Sequence, residues 1–360
     1  MKRRSPLAAS RRYYPGFFGA LFLVVLRTAI GWHFMYEGTQ KILTTPEGKN
    51  SVLARIFPVP EGPPFSSEGY LRNATGPLAP KFRGMIPDVD SLRKLDPKAL
   101  EDDWSLLTAR VADHYRFDEA QRAEATRALQ DRIKVADDWF QVVENREKVK
   151  KYKDDLAEIE KVENNPRALE SEKLNAWKER KAVDTDRRAL VKEMDTWTDT
   201  LRDSLVKLAK PEQVEAAGPY AVPPTEIEKI DRLTMYGLTA VGLCLMLGLF
   251  TPLAALGGAA YLLSFYLSMP PWPGLPEGPN LEGHYRYVNK NLIEMFACLA
   301  LASTPNGLWI GIDALLFGWI GRGRRAREQA ELQALLESQG RAQAAPINVV
   351  TSAPRKNKSR

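Results

Sequence analysis

Three side chains that could handle protons follow one another along the first apolar segment of the sequence. His33, Glu37 and Lys41 are spaced four residues apart, so a helix would place them on one face. An imidazole, a carboxylate and an amine on one face could form a proton relay or hold a polar ligand, although polar residues at the edge of a membrane are usually only hydrated. Metal binding is disfavoured, because His114 and His284 are isolated and no second histidine has ligand spacing.

A formal charge also lies in the middle of this apolar segment, at Arg27. A charged side chain at the centre of a bilayer costs about 2.5–3.5 kcal/mol on insertion scales, so Arg27 should face the interior of a helix bundle. We predict Glu294 as its partner, because this carboxylate lies about two turns into the last apolar segment, within the reach of a long arginine side chain. The pair has two interpretations, a structural ion pair that fixes helix register and a functional site.

The two cysteines, Cys244 and Cys298, both lie in apolar segments. We interpret them as small apolar residues of membrane helices and not as a redox centre, because a thiol in lipid carries little thiolate. The long polar insertion described below holds no cysteine, so it can build neither a disulfide framework nor a cysteine zinc site.

Apolar segments at the two ends of the chain must position these side chains. The first, residues 16–36, has about the 20 residues that a helix needs to cross a hydrocarbon layer. Three more follow at residues 233–250, 253–269 and 288–303. The second and third are separated only by Thr251 and Pro252, and their glycines would permit close helix packing. We predict an all-α fold, a four-helix transmembrane bundle, in which the last apolar run, 308–320, is a short interfacial or re-entrant helix or the second half of a kinked span.

The formal charge of +6 and the pI of 9.1 come from the ends of the chain. Residues 1–15 carry five Lys and Arg residues and no acid, and residues 321–360 carry nine against three acids. These basic residues flank apolar spans and lack a nucleic-acid motif, so we exclude nucleic-acid binding and assign them to membrane topology. The bias predicts a multi-pass protein of the inner (plasma) membrane, with both termini in the cytoplasm and residues 41–232 outside it.

The middle of the chain is a large charged insertion between the first transmembrane helix, residues 16–40, and the remaining spans, residues 233–320. Residues 41–98 are rich in Pro and Gly and predict an irregular collar, and residues 213–232 predict a linker. Between them, residues 99–212 predict an extracytoplasmic helical hairpin with a break at residues 164–166. Apolar residues recur there in steps of three and four, as in Val149, Tyr152, Leu156 and Ile159, and in Leu190, Met194, Trp197, Leu201, Leu205 and Leu208. Such narrow, coiled-coil-like seams need a partner, either the other half of the hairpin or a second copy of the chain.

Four stretches of the sequence resemble the DoxX/DoxD family of small four-helix bacterial membrane proteins. They are RTAIGWHFMYEGTQKIL at residues 27–43, SSEGYLRNATGPLAPKFRGM at residues 66–85, GLFTPLAALGG at residues 248–258 and VNKNLIEMFACLALASTPNGLWIGIDALL at residues 288–316. No single stretch is a catalytic motif, but their order is fairly specific. The large insertion between the first two spans departs from the family.

The resemblance implies a membrane subunit of a redox assembly. Some members of the family are the small membrane subunit of thiosulfate:quinone oxidoreductase, and others belong to redox or thiol-stress complexes. The positions that match the family are Arg27, Gly31, Glu37, Gly38, Lys41, Asn289, Asn291, Glu294 and Asp313. With His33, which its spacing from Glu37 and Lys41 adds, the candidate intramembrane polar site is Arg27, His33, Glu37, Lys41, Asn291 and Glu294. A quinone between helices is the cofactor that this implies, since no flavin, haem or iron–sulfur motif is recognisable. The alternative function is a non-enzymatic scaffold that recruits partners, or self-associates, through its extracytoplasmic hairpin.

Overall fold

The computed structural model describes residues 15–165, 167–276, 283 and 285–317, and within them every regular element is helical. The helices are α1 (Gly16–Leu43), α2 (Pro46–Lys49), α3 (Glu68–Arg72), α4 (Ala79–Arg83), α5 (Pro97–His114), α6 (Glu119–Gln141), α7 (Val143–Glu163), α8 (Glu170–Lys207), α9 (Pro211–Ala217), α10 (Glu226–Leu247), α11 (Thr251–Ser268), α12 (Lys290–Ala302) and α13 (Asn306–Trp309), with a 3-10 helix at Val52–Arg55 and helical residues at 312–317. The predicted all-α class is confirmed for this part of the chain. The basic ends, residues 1–14 and 318–360, lie outside the described residues.

Within the described part of the chain, three helices are long and apolar enough to cross a membrane, namely α1, α10 and α11, and they indicate a membrane protein. α1 has 28 residues and is about 42 Å long, more than the roughly 30 Å of a hydrocarbon core. α12 has 13 residues and reaches only about 20 Å, so this helix does not cross a membrane by itself. Residues 303–305 separate it from α13, at the predicted break after the fourth apolar segment.

Local backbone preferences set both ends of α10. Gly248 (φ +63°) ends the helix in the left-handed region, and Phe250 (φ +45°) precedes α11, whose second residue is Pro252. At its other end, α10 begins before the predicted start at residue 233, because Thr225 and Glu228 form a capping box. The charged first turn is therefore helical, although it is too polar for the centre of a membrane.

Glycines allow α1 and α10 to pack side by side. A Cβ atom on Gly242 of α10 would overlap the backbone of Gly31 and Met35 in α1, and one on Gly38 would overlap Thr239. In membrane bundles, backbones approach this closely where glycine places no side chain between the helices. α11 packs against α12, and the shared core includes Ile30, Phe34, Leu238, Leu245, Ala255, Leu262, Cys298 and Leu301. Large apolar side chains face outward, among them Phe18, Phe22, Leu233, Leu253 and Phe296, as a lipid-facing surface requires.

The insertion contains four long helices, α5 to α8, where the apolar pattern predicted two. Helix α5 lies almost wholly within the range predicted as a helical hairpin, residues 99–212, but a separate helix there was not predicted. Asp96 caps it by accepting hydrogen bonds from the backbone N–H groups of Lys98 and Ala99, and Pro97 occupies the first position. The first predicted helix is divided at Val142, an extended residue between α6 and α7.

Most of the predicted seam residues are buried inside the insertion. Val149, Tyr152, Leu156 and Ile159 of α7 and Met194, Leu201 and Leu205 of α8 share one core with Leu100, Trp104 and Val111 of α5 and Ala125 and Leu129 of α6. α7 packs against α8, and α5 and α6 also contact α8. The seams therefore close within one chain, and their burial does not require a second copy.

An ion-pair network joins the insertion to the collar. It consists of four largely buried arginines and four carboxylates: Arg72, Arg83, Arg180 and Arg187 with Glu68, Asp90, Glu163 and Asp184. At its centre, Asp184 accepts from Arg187 Nε at 2.9 Å and from Arg188 Nη2 at 2.7 Å, and it lies 3.4 Å from Arg72 Nε. Buried charges persist where each has an opposite partner, so we infer that these residues fold as one unit.

Hydrogen bonds also hold the collar to the membrane helices. The backbone N–H of Thr75 donates to the carbonyl of Ser268 at the end of α11 (2.8 Å), and that of Ser67 donates to Asp231 of α10 (2.5 Å). The collar is thus an ordered element, attached on one side to the membrane helices and on the other to the insertion. Its short helices, α2 to α4, were not predicted.

Candidate functional site

Two helices bring an imidazole, an amine and a carboxylate together at one end of the membrane helices. His33 of α1 lies with Nδ1 3.2 Å from Glu294 Oε2 and with Nε2 3.0 Å from Lys290 Nζ, both on α12. One turn further along α1, Lys41 Nζ donates to Glu37 Oε2 at 2.6 Å, as their spacing predicts. We call these five residues the outer cluster.

The local sequence explains why these side chains meet. Asn289 caps α12, with its side-chain oxygen accepting the backbone N–H of Leu292 at 3.0 Å. The cap starts α12 at Lys290, so Lys290 and Glu294 lie one turn apart on the face towards α1. Lys290 was missed at the level of sequence, although its four-residue spacing from Glu294 is the same signal that identified His33 and Glu37.

The outer cluster has unused hydrogen-bonding capacity. His33 Nδ1 and Glu294 Oε2 lie within ion-pair distance, but their geometry does not make a hydrogen bond, and neither atom has another hydrogen-bond partner. Both atoms are shielded from solvent, whereas the side chains as a whole are 33% and 21% exposed. A proton could therefore join the two side chains, which are too close for a further heavy atom to lie between them.

The predicted pairing of Arg27 with Glu294 is wrong. Arg27 Nη1 instead donates to the backbone oxygen and the side-chain oxygen of Asn306, at 3.2 and 3.4 Å. Arg27 precedes His33 by about 9 Å along α1, and α12 runs antiparallel to α1, so Glu294 lies level with His33. The break after α12 brings Asn306, which was not predicted as a site residue, to the level of Arg27.

Arg27, Asn306 and Asp313 form a second polar group, which we call the inner cluster. Asn306 donates to the carbonyl of Leu301 and to Thr304 Oγ1, both at 2.9 Å. Asp313 accepts the backbone N–H groups of Phe250 and Thr251 at the start of α11, at 2.7 and 2.8 Å. A carboxylate at a helix N-terminus is stabilised by the helix dipole.

The inner cluster is filled by the protein itself. A Cβ atom on Gly248 would lie 2.7 Å from Gly311 Cα and 2.8 Å from Arg27 Nη1, and one on Gly307 would overlap Thr251. This close packing at both glycines favours the structural interpretation of Arg27, in which it holds the segment after α12 against the turn before α11. The outer cluster is the candidate functional site.

The remaining predicted residues lie apart from these contacts. Asn291 is buried on α12 beside Lys290 and takes part in none of the polar contacts above. Cys244 and Cys298 are free thiols, and Cys298 is fully buried in the core of the membrane helices. Among the described residues, no group of three His, Cys, Asp or Glu side chains could hold a metal ion, and His284 lies outside those residues.

Comparison with models of protein families, with curated proteins and with solved structures found no match for this chain. The resemblance to the DoxX/DoxD family therefore stays a hypothesis that rests on the four stretches of sequence.

Proposed function

We propose that the chain is a four-span protein of the inner membrane, a transmembrane bundle that carries an extracytoplasmic helical insertion. In this proposal α12 and the residues that follow it form the fourth crossing. Three observations support it: the three long apolar helices, the break at residues 303–305 that precedes more helix, and the basic ends of the chain. Both termini would then be cytoplasmic, with residues 41–232 outside.

Reporter fusions test this topology. A reporter that is active only outside the cytoplasm should be active when fused after Glu160 in α7 and inactive when fused at the C-terminus, and a cytoplasmic reporter should give the opposite pattern. Activity of one reporter at both positions would contradict an even number of crossings.

We propose that this membrane protein is the quinone-binding subunit of a redox assembly. The resemblance implies that electrons come from a sulfur compound through a partner subunit. A quinone that accepts two electrons must also gain two protons, one on each carbonyl oxygen. The observation that supports this role best is the outer cluster, in which His33, Lys290 and Glu294 meet across two helices at the end of an apolar span.

The residues of the outer cluster suit the two roles that quinone reduction requires, hydrogen bonding to a carbonyl oxygen and delivery of protons. Lys290 can donate a hydrogen bond to a carbonyl oxygen, His33 holds Lys290 and Glu294 on either side of its ring, and Glu294 can hold a proton beside the imidazole. In this proposal an apolar ligand reaches the cluster from the lipid, through the exposed part of the His33 side chain. Glu37 and Lys41, one turn further out, continue the polar path towards the aqueous phase.

Quinone content of the purified protein tests this proposal. The native chain, isolated in mild detergent, should carry quinone that organic extraction and mass spectrometry detect. His33→Leu should lower the bound quinone by about tenfold or more, because it removes the imidazole that positions Lys290. A hydrogen bond from the Lys290 ammonium is worth about 1.5–3 kcal/mol, and about 1.4 kcal/mol equals a factor of ten. His114→Leu is the matched control, since His114 lies in the insertion. Absence of quinone from the native chain, or equal quinone in the two variants, would reject the role.

A second candidate function is recruitment of a partner outside the membrane. An open cleft of about 980 Å³ lies between the collar, α8 and the first turns of α10, and its lining mixes charged side chains such as Lys94, Arg188 and Asp199 with apolar ones. Its open shape and its charged lining are the observations that support a protein or peptide partner. Mass spectrometry of the same preparation should then identify proteins that are lost when residues 100–210 are deleted, without any bound quinone.

A further inference from the structure

The chain turns back along α1 after this helix ends, and this return brings an apolar segment beside the membrane span. Thr45 caps α2 by accepting the N–H of Gly48 at 3.0 Å, and a Cβ atom on Gly48 would overlap the carbonyl of Ile42. The tight turn reverses the chain direction. We call residues 52–59, which follow it, the return segment.

The return segment is held against α1 well below the end of that helix. The ring of Phe57 lies 6.4 Å from that of Trp32 and 6.2 Å from that of Tyr36, and Gln40 Nε2 donates to the carbonyl of Pro58 at 3.2 Å. Trp32 precedes Leu43, the last residue of α1, by eleven residues, or about 16 Å along the helix. The chain therefore returns by more than two helical turns.

The outward side of the return segment is apolar. Val52 and Ile56 are each 67% exposed, and Val59 and Trp32 are also exposed. Two observations indicate what this apolar surface contacts. First, it continues the exposed apolar stripe of α1, which consists of Phe18, Phe22, Val25, Ala29 and Trp32 at steps of three and four residues. Second, exposed cationic residues, Lys49 and Arg55, accompany it.

The depth of the patch follows from the length of the apolar run. Residues 16–36 span about 31 Å as a helix, close to the roughly 30 Å of a hydrocarbon core. Trp32 and Tyr36 therefore lie at the boundary between hydrocarbon and headgroups, where these two residue types are enriched. Phe57, which packs on both rings, lies at the same level.

We propose that the return segment is an interfacial anchor that inserts Val52, Ile56 and Phe57 into the lipid bilayer at the level of the headgroups. The continuous apolar stripe and the aromatic residues select lipid as the occupant, and Lys49 and Arg55 suit the phosphate groups of the headgroups. The collar, which the sequence predicts as an extracytoplasmic element, is on this account partly embedded. The inference depends on α1 crossing the membrane and not on quinone binding.

Spin labelling of the full-length chain in vesicles of phosphatidylcholine and phosphatidylglycerol tests the anchor. Labels at Ile56→Cys and, independently, at Val52→Cys should be reached more readily by oxygen than by a water-soluble nickel chelate, because oxygen concentrates in the bilayer. Leu169→Cys is the matched control, since Leu169 is 65% exposed but lies in the insertion, and its label should show the reverse order. The native chain, with Cys244 and Cys298 only, supplies the background signal.

The expected result is an oxygen-to-nickel accessibility ratio several-fold higher at residues 52 and 56 than at residue 169. Nickel access at both return-segment sites equal to that at residue 169 would overturn the proposal, because the segment would then lie in water. Labels that are immobilised and shielded from both reagents would overturn it as well, since a protein would then cover the patch.

Discussion

Asp184→Asn should destabilise the insertion by about 1.5–3 kcal/mol, because it removes a charged hydrogen-bond partner of the buried Arg187 and an ion-pair partner of the buried Arg72, while Glu68 still faces both arginines. The expected observation is a lower midpoint of chemical denaturation, followed by far-ultraviolet circular dichroism on the full-length protein in detergent. Asp155→Asn is the control, since Asp155 pairs with an exposed lysine, Lys151, and such surface pairs contribute about 1 kcal/mol or less. Equal losses in the two variants would show that the network does not stabilise the fold.

The pH dependence of the stability difference between the native chain and Asp184→Asn follows from the pKa of Asp184. Burial raises the pKa of Asp184, but its hydrogen bond to Arg187 and the charges of Arg187 and Arg72 outweigh burial and hold the pKa below its usual range. A carboxylate whose pKa is lowered by folding stabilises the protein above its unfolded pKa of about 3.9 and loses that contribution as the pH falls through the folded value. The difference between the native chain and Asp184→Asn should therefore be constant from neutral pH to about pH 5 and shrink only in stronger acid.

Gly242→Ala should separate α1 from α10 and destabilise the membrane helices by about 1–3 kcal/mol or more, which is the usual cost of overpacking a closely packed interface. The added Cβ would overlap backbone atoms of Gly31 and Met35, and backbone cannot move aside as a side chain can. Thermal unfolding in mild detergent should show the loss.

Gly257→Ala is the matched control for this second prediction. A Cβ atom at Gly257 would meet only Val241 Cγ2, at an ordinary contact distance of 3.4 Å. Alanine also has the higher helix propensity, so this variant should be as stable as the native chain. Similar stability of the two variants would show that the contact between α1 and α10 is looser than the structure indicates.

The sequence predicted what depends on local periodicity. The three long spans, the shared face of His33, Glu37 and Lys41, and the buried seam from Val149 to Ile159 all follow from spacing along single helices. The close packing at Gly242 also agrees with its sequence context, since small residues within an apolar run allow two membrane helices to pack closely.

The partner of Arg27 could not be predicted in the same way. Its partner is Asn306, 279 residues away, and the contact depends on where the helix after Asn289 ends. Depth along a helix can be counted from sequence, but the relative depth of two helices is set by tertiary packing. The choice of Glu294 was therefore off by about two turns.

The ion-pair network and the return segment were missed for related reasons. Arg72 and Asp184 lie in stretches rich in charge, where nothing local distinguishes a buried arginine from a hydrated one. Residues 52–59 are too short and too irregular for a periodic signal, and only the turn at Gly48 directs them towards Trp32.

The collar connects the membrane helices to the insertion and is bonded to both. Hydrogen bonds to Asp231 and Ser268 attach it to α10 and α11, and ion pairs attach it to α8. Helix α8 has 38 residues and is about 57 Å long. The contacts between the collar and α8 run from Trp177 to Asp195, so any displacement of α8 acts on the collar along much of this helix. The hydrogen bonds to Asp231 and Ser268 then connect such a displacement to α10 and α11.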